Sequence, residues 1–366
     1  MIDAIEINDA DALPAYARQW RELLRGTPRG SFFQSIEWLQ AYARRAGDRE
    51  RLRVVLVRSG GRLVGVAPMV ERTERTAVGP IRVLTYPLDE WGVWYGPVGP
   101  NPSATLMVAM RLLSRGPRTW DVLAPCWVAH DGVDGGRTEH AMRLAGLAPH
   151  AAPHATTSVL RLDRFVGWDD YLARRPRKFR HEVQRKARQL ERSARVEHVR
   201  WRPEPGGADD RMDLYEECVE LSRRSWQAGS DTGNTLCDPE VAGLLCEAHR
   251  GAARLGMVDL NLLRLDGRPA AFYYGYRSGG ELLGLRTGYD ARAASGAGAV
   301  LFARMVEDSF ARGDTRLDLG PGPEAYKRRW RTATETSWRL SHARPGGWRG
   351  RALAAARRWR RSRRAA

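Results

Sequence analysis

Apolar positions along this chain switch repeatedly between a period of two and a period near 3.6, and the switches mark out its elements. Residues 1–7 read as a strand and 13–25 as a helix. Ser35 supplies an N-cap for a helix over 36–46, because its hydroxyl can accept an orphan backbone N–H. Two β-branched arms, 53–58 and 62–71, flank Ser59-Gly60-Gly61 and predict a hairpin. Strands at 81–85 and 120–123 bracket a helix over 103–115.

The second half follows the same plan. A strand at 157–162 precedes a helix over 178–195, with Phe179, Val183, Leu190 and Ala194 on one face and basic residues elsewhere. Those basic residues suit a phosphate or nucleic-acid contact, or simply a solvated face braced by i,i+4 pairs with Glu182 and Glu191. A helix over 239–255 aligns Val241, Leu244, Leu245 and Ala248, and a hairpin follows, 258–265 and 268–276 about Asp266-Gly267. Val57-Arg58-Ser59-Gly60-Gly61-Arg62 aligns with Leu263-Arg264-Leu265-Asp266-Gly267-Arg268, and a helix precedes both hairpins. Duplicated α/β domains are therefore expected, with the boundary inside 151–168. The division reads as 1–155, 156–343 and a basic tail, 344–366.

The candidate chemistry lies in 283–330. A strand at 283–287 leads into Ser295-Gly296-Ala297-Gly298, a helix over 300–312, and a strand at 315–319 ending in Gly320-Pro321-Gly322. A glycine turn at a helix N-terminus presents free backbone N–H groups and the positive end of the helix dipole, which suits a phosphate. The following strand delivers Asp318, Tyr326 and Lys327 to one region. Asp318 is placed to accept a proton or orient an amine, Tyr326 to protonate a leaving thiolate, and Lys327 to hold a phosphate or carboxylate. Plainer roles stand beside these: Asp318 as a turn cap, Tyr326 and Lys327 as the start of an amphipathic helix against Trp330.

Composition narrows the class. At 366 residues, 43% hydrophobic and 28% charged, the chain reads as a soluble two-domain protein. No apolar run approaches the roughly 20 residues of a membrane span, and the acidic start lacks signal-peptide character. A cytoplasmic location follows, open to peripheral attachment at the inner membrane face. Cys126, Cys218, Cys237 and Cys246 are scattered, so they read as reduced, buried thiols. His150 and His154 have Pro153 between them and form no helical metal clip, and no metal is expected. Nucleophile-elbow, Walker and zincin motifs are missing from the sequence. The net charge of +17 is concentrated in the tail, which carries nine arginines, Trp348 and Trp359 and no acid. That tail suits an anionic lipid surface or RNA, or is a solvated terminus. With covalent and metal routes disfavoured, direct transfer from a bound, phosphate-bearing donor remains.

At these residues the chain resembles the tandem GNAT-fold acyltransferases of the CelD-like, FemAB-related group. The resemblance rests on the order Gly288-Tyr289-Asp290, Ser295-Gly296-Ala297-Gly298, Asp318-Leu319-Gly320-Pro321-Gly322, Tyr326-Lys327. Phe32-Phe33-Gln34-Ser35-Ile36-Glu37-Trp38-Leu39, Val64-Gly65-Val66-Ala67-Pro68-Met69, Gln189-Leu190-Glu191 and Arg224-Ser225-Trp226 extend it across 31–335. It implies two GNAT-like α/β (α+β) domains, each a mixed, mainly antiparallel sheet flanked by helices. It implies an acyl-CoA donor, such as acetyl-CoA, and an amine on a sugar or other small molecule as acceptor, in polysaccharide or cell-envelope biosynthesis. Gly296, Ala297, Gly298 and Ala299 would meet the pyrophosphate. Asp318, Tyr326 and Lys327 would lie near the acceptor, and Trp226, Arg286 and Tyr289 would line the cleft. Arg292 stands four residues before Gly296, where the usual loop has Gln or Arg three before its first glycine. Two other readings follow from the same relatives: an aminoacyl-tRNA-dependent transferase, and a non-catalytic partner in polysaccharide assembly.

Overall fold

The structure, a computed structural model, describes residues 2–344 apart from 78, 89–90, 116–118, 230–234, 291, 294 and 323. The arginine-rich stretch at 345–366, with Trp348 and Trp359, lies outside the described residues. The chain divides into two units. One takes in Met1–Thr156 and is rejoined by the chain at Thr336; the other is Thr157–Glu335.

The first unit runs β1 (Ile2–Ile7), α1 (Ala17–Arg25), α2 (Ile36–Ala46), β2 (Glu50–Leu52), β3 (Val54–Ser59), β4 (Arg62–Ala67), β5 (Val70–Thr76), β6 (Gly79–Thr85), α3 (Pro102–Arg115), β7 (Val122–Leu123) and α4 (Arg137–Leu144). The helix expected over 13–25 begins as a 3-10 turn, Ala10–Tyr16, because Pro14 cannot donate an α-helical bond. The arm expected over 62–71 breaks at Pro68-Met69: β4 pairs with β3 in the sheet β1-β3-β4, and β5 turns away to pair with β6. β6 and β7 are parallel, joined by α3. The aromatic motif after residue 31 is core, with Phe32, Phe33, Ile36, Trp38 and Leu39 buried. Within it the Gln34 amide donates to the Gly96 and Pro97 carbonyls, tying down the long connection between β6 and α3.

β8 (His150–Arg161) carries the chain into the second unit. There follow α5 (Trp168–Ala173), α6 (Arg177–Ser193), β9 (Val196–Trp201), α7 (Met212–Arg224), α8 (Ala242–Arg254), β10 (Val258–Leu265), β11 (Arg268–Ser278), β12 (Glu281–Tyr289), α9 (Ala297–Ala311), β13 (Arg316–Pro321) and α10 (Ala325–Trp330). β14 (Ala333–Ala343) returns the chain to the first unit, where His342 and Ala343 pair with β7. In the second unit the strands lie in the order β8-β13-β12-β11-β10-β9, antiparallel except for the β12–β13 pair. Mainly antiparallel strands flanked by helices thus form both units, and each unit contains one parallel pair joined by a helix.

α9 is held by its apolar face. Val300, Leu301, Phe302, Met305 and Val306 are buried against Ala271, Tyr273, Leu317, Leu319 and Trp330. Each such side chain contributes about 1.5–3 kcal/mol on burial, so the helix and its N-terminus are fixed relative to β12 and β13.

Candidate functional site

β12 and β13 pair over three positions, Glu281–Arg316, Leu282–Leu317 and Leu283–Asp318, and there the pairing ends. β12 runs on to Tyr289 while β13 reaches only Pro321. Gly284 still faces Gly275, but beyond it the register of β12 on β11 shifts by one residue, so that Arg286 faces Tyr274. A bulge of this kind re-aims a strand where pairing stops. Gly284 leaves room for a neighbour: a Cβ there would fall 1.8 Å from the Tyr273 hydroxyl oxygen. The pairing of the two parallel strands thus ends one residue before the glycine that Tyr273 covers.

The glycine loop sits after β12. Gly296 has φ +96° and caps α9 in a left-handed conformation that favours glycine. The Lys186 stem from α6 lies over it, with Cδ 3.4 Å from where a Cβ would stand. The Tyr289 ring lies over Gly298, with Cδ1 3.2 Å from its notional Cβ. Ala297 is buried in the core and Ala299 is half-buried. The Lys186 ammonium pairs with Glu182 at 2.9 Å, and Glu182 also takes Arg329 from α10. These two partners hold the Glu182 carboxyl down to about 2.

At the end of β13, Asp318 is buried at 1% exposure. Its Oδ1 accepts the Gly320 N–H at 2.8 Å, and its Oδ2 accepts from Arg316 at 3.3 Å. Arg316 also binds Glu281 and Glu335. Lys327, buried on α10, donates to the Pro321 carbonyl and pairs with Glu324 at 3.0 Å. Asp318 and Lys327 thus meet on the turn between β13 and α10, with their polar atoms engaged by that turn and its neighbours.

Tyr326 faces elsewhere. Its ring packs edge-on against Phe302 of α9 at 5.8 Å, within the core that includes Leu317 and Leu319. Strand alternation puts Asp318 on the opposite face from those two leucines. Burial, reinforced by the Glu324 charge, pushes the Tyr326 phenol above its ordinary range. Tyr273 is also raised well above its ordinary range, by burial and then by Tyr326 and Asp318. Both phenols keep their protons.

Of the remaining expected site residues, Tyr289 is 46% exposed beside the glycine loop and Trp226 is 60% exposed on a 3-10 turn, Trp226–Gly229. The neighbouring Gln227 donates its amide to the Thr287 carbonyl at 2.7 Å and so pins that turn to β12. Arg286 shares the Tyr274 face of the sheet, where Tyr274 packs with Tyr215 and His249, whereas Tyr273 packs on Phe302 of α9. Arg286 and the glycine loop are therefore on opposite faces. Sequence reasoning missed Tyr273 and Gln227, and it offered the basic residues of 178–195 for a phosphate without singling out Lys186. The alternation in Phe272-Tyr273-Tyr274-Gly275-Tyr276 was the available signal for the first, whereas contacts between distant elements leave none for the others.

Among the described residues no cluster of three or more His, Cys, Asp or Glu side chains is placed to hold a metal ion. No described helix is long and apolar enough to cross a membrane.

Residues 177–328, from α6 into α10, match the family described as an acetyltransferase (GNAT) domain. Among solved structures, FemX superposes with a TM-score of 0.59 at 11% identity, over 92% of this chain and 96% of that one. L-PGS from Bacillus licheniformis gives 0.56 at 13% identity, over 93% and 94%. The C-terminal domain of a putative lysylphosphatidylglycerol synthetase from Agrobacterium fabrum gives 0.56 at 11%, over 95% and 96%. At such identities these likenesses establish the fold. No curated protein matches the chain. The second unit carries a GNAT-type acetyltransferase domain, and the domain match supports an acyltransferase.

Proposed function

We propose that the chain is an N-acyltransferase of the CelD-like, FemAB-related kind, moving an acyl group from acyl-CoA to an amine of a small molecule or amino sugar. The observation that carries this reading is the fixed N-terminus of α9, capped by Gly296 and adjoining the parting of β12 from β13 within the matched domain. Backbone N–H groups at Gly296, Ala297, Gly298 and Ala299 would receive the CoA pyrophosphate, with the helix dipole favouring its charge. Lys186, whose stem covers Gly296, brings a cation to the same loop.

In the proposed reaction a neutral amine attacks the thioester carbonyl carbon. The C–N bond forms, the C–S bond breaks, and the departing thiolate takes a proton from Tyr326. The proton shed by nitrogen restores the phenol. A phenol held protonated by burial is suited to donating only when a strong base develops beside it. Asp318 and Lys327 act as positioning residues that hold the turn carrying Tyr326, which their hydrogen bonds to that turn support. We assign Trp226 and Arg286 to the acceptor side, and Tyr289, whose ring covers Gly298, to the edge of the donor loop.

Calorimetry with acetyl-CoA and longer acyl-CoAs tests the donor. Saturable binding that weakens at least tenfold in Gly298→Asp supports the reading; no binding across the panel overturns it. An aminoacyl-tRNA donor is the second reading, favoured by the exposed Arg177, Lys178, Arg185, Arg188 and Arg192 of α6 and Arg328 of α10. Salt-sensitive tRNA binding that survives deletion of 345–366, without CoA binding, would select it.

A further inference from the structure

Outside the matched domain, the first unit holds a cluster of rings that the acyl-transfer reading does not use. It lies at the carboxyl ends of the parallel strands β6 and β7, where open sheets commonly place ligands. Trp94 and Trp127 both adopt left-handed backbone, φ +52° and +58°, which bulky side chains rarely do. Their rings meet edge to face at 6.0 Å. The Trp127 carbonyl accepts the Tyr95 N–H at 3.0 Å, and the Tyr95 ring packs on Tyr86 at 4.7 Å. His154 meets Trp127 edge to face at 5.2 Å. Strain of this kind persists where surrounding structure enforces it, and it gathers at ligand sites. Here the enforcing contact comes from the opening aromatic motif, since Gln34 binds the carbonyls of Gly96 and Pro97, just after Tyr95.

Two polar groups in this cluster lack the partners that burial demands. Tyr95 is 5% exposed, and its hydroxyl has no hydrogen-bond partner among the described residues. Arg339 lies on β14 opposite Cys126 and Trp127, placed there by the Val128–Trp338 backbone pair and by the Leu340 N–H on the Pro125 carbonyl at 3.0 Å. Its Nε is buried without a partner, and no described carboxylate pairs with it. Its charge reaches Cys126 and His154. Arg72 of the same sheet, by contrast, is matched by Glu74 at 2.9 Å. A buried donor left without a partner is costly, so a ligand supplying acceptors to the Tyr95 hydroxyl and the Arg339 Nε, and a negative charge to the half-buried Arg339 side chain, would gain what the protein lacks.

We propose that this cluster binds a sugar ring bearing one anionic group, carboxylate or phosphate. The ring's C–H face lies against Trp127 and Trp94, its anion meets Arg339, and a hydroxyl pairs with Tyr95. The site is independent of the acyl-CoA reading, because none of its residues belongs to the matched domain.

Calorimetry and saturation-transfer NMR on the full chain test this with glucuronate, glucose 6-phosphate, glucose and inorganic phosphate. At least one anionic sugar should bind saturably, at least tenfold tighter than glucose or inorganic phosphate. Glucuronate alone marks a carboxylate ligand, and glucose 6-phosphate alone a phosphorylated one. Arg339→Gln should weaken binding at least tenfold. Trp127→Asn, which keeps the left-handed backbone accessible, should abolish the ring contacts seen by NMR. Tyr95→Phe, which keeps the packing on Tyr86, should weaken binding two- to tenfold and serves where Arg339→Gln does not fold. No saturable binding of either anionic sugar overturns the proposal, as does glucose binding equally well or a folded Arg339→Gln that binds like the parent.

Discussion

The Tyr289 ring rests on the bare α-carbon of Gly298, the second residue of α9, with Cδ1 3.2 Å from the position a Cβ would take. Gly298 therefore does two things: it leaves the helix N-terminus open and it seats an exposed ring beside it. In Gly298→Ala the methyl must displace Tyr289 by a few tenths of an ångström. That ring is 46% exposed and able to give, so acyl-CoA affinity should fall only two- to fivefold in calorimetry. Gly298→Asp should lose at least tenfold without losing stability, since an acid in a first helical turn contributes about 0.3–1 kcal/mol. A thermal melt alongside the titration separates repulsion of phosphate from unfolding.

Tyr326→Phe keeps the edge contact with Phe302 and removes only the hydroxyl. Stability should change by less than about 1 kcal/mol, while kcat falls about 10- to 100-fold with KM for acyl-CoA unchanged. The pH profile adds a second check. The folded phenol titrates above its ordinary range, so it stays protonated at pH 10, and activity in the parent should show no alkaline decline from this group up to that pH. The unfolded chain ionises its tyrosines near pH 10. Stability held by the raised phenols, Tyr326 and Tyr273 among them, is thus present below that pH and lost above it. Urea midpoints at pH 9 and 11 measure the loss.

Much of this architecture is legible in the chain because it follows from local chemistry. The glycine turns, the Ser35 cap and the alternating arms of the hairpins each reflect a backbone requirement that a short window contains. The site is less legible, because its side chains come from distant elements. Nothing near Lys186 in sequence reveals that its stem crosses Gly296, and nothing near Gln227 reveals Thr287. Asp318 and Tyr326 are near neighbours in sequence, yet strand alternation and the turn at Gly320 send them to different faces. Pro14 and Pro68 both carry readable breaks that the apolar pattern obscures.

Asp318→Asn separates a positioning role from a chemical one. Asparagine keeps an oxygen for the Gly320 N–H but loses its charge beside Arg316, which retains Glu281 and Glu335. Unfolding free energy should drop about 1–3 kcal/mol, and kcat should fall less than in Tyr326→Phe. If Asp318 were the base, kcat would fall by about 10²–10⁴ and its acid limb in the pH profile would vanish.

The neutral histidine at the back of the second unit makes stability fall with acid. His249 is fully buried, with Nε2 donating to the Asp210 carbonyl at 2.8 Å and Nδ1 accepting from the Tyr274 hydroxyl at 3.0 Å. That arrangement requires one ring proton, and burial lowers the pKa to about 4. An unfolded histidine titrates near 6.5. Because the folded value is depressed, the unfolded chain takes up the extra proton first as pH falls. The contribution is complete above about pH 6.5 and lost progressively down to about 4, with a slope approaching 1.4 kcal/mol per pH unit. Urea denaturation at half-unit steps from pH 7.5 to 4.5 should show that slope. In a folded His249→Gln variant, which offers a donor and an acceptor without a titrating group, it should be reduced by about one proton. An unchanged slope in that variant would assign the acid sensitivity to other groups and leave His249 a packing residue.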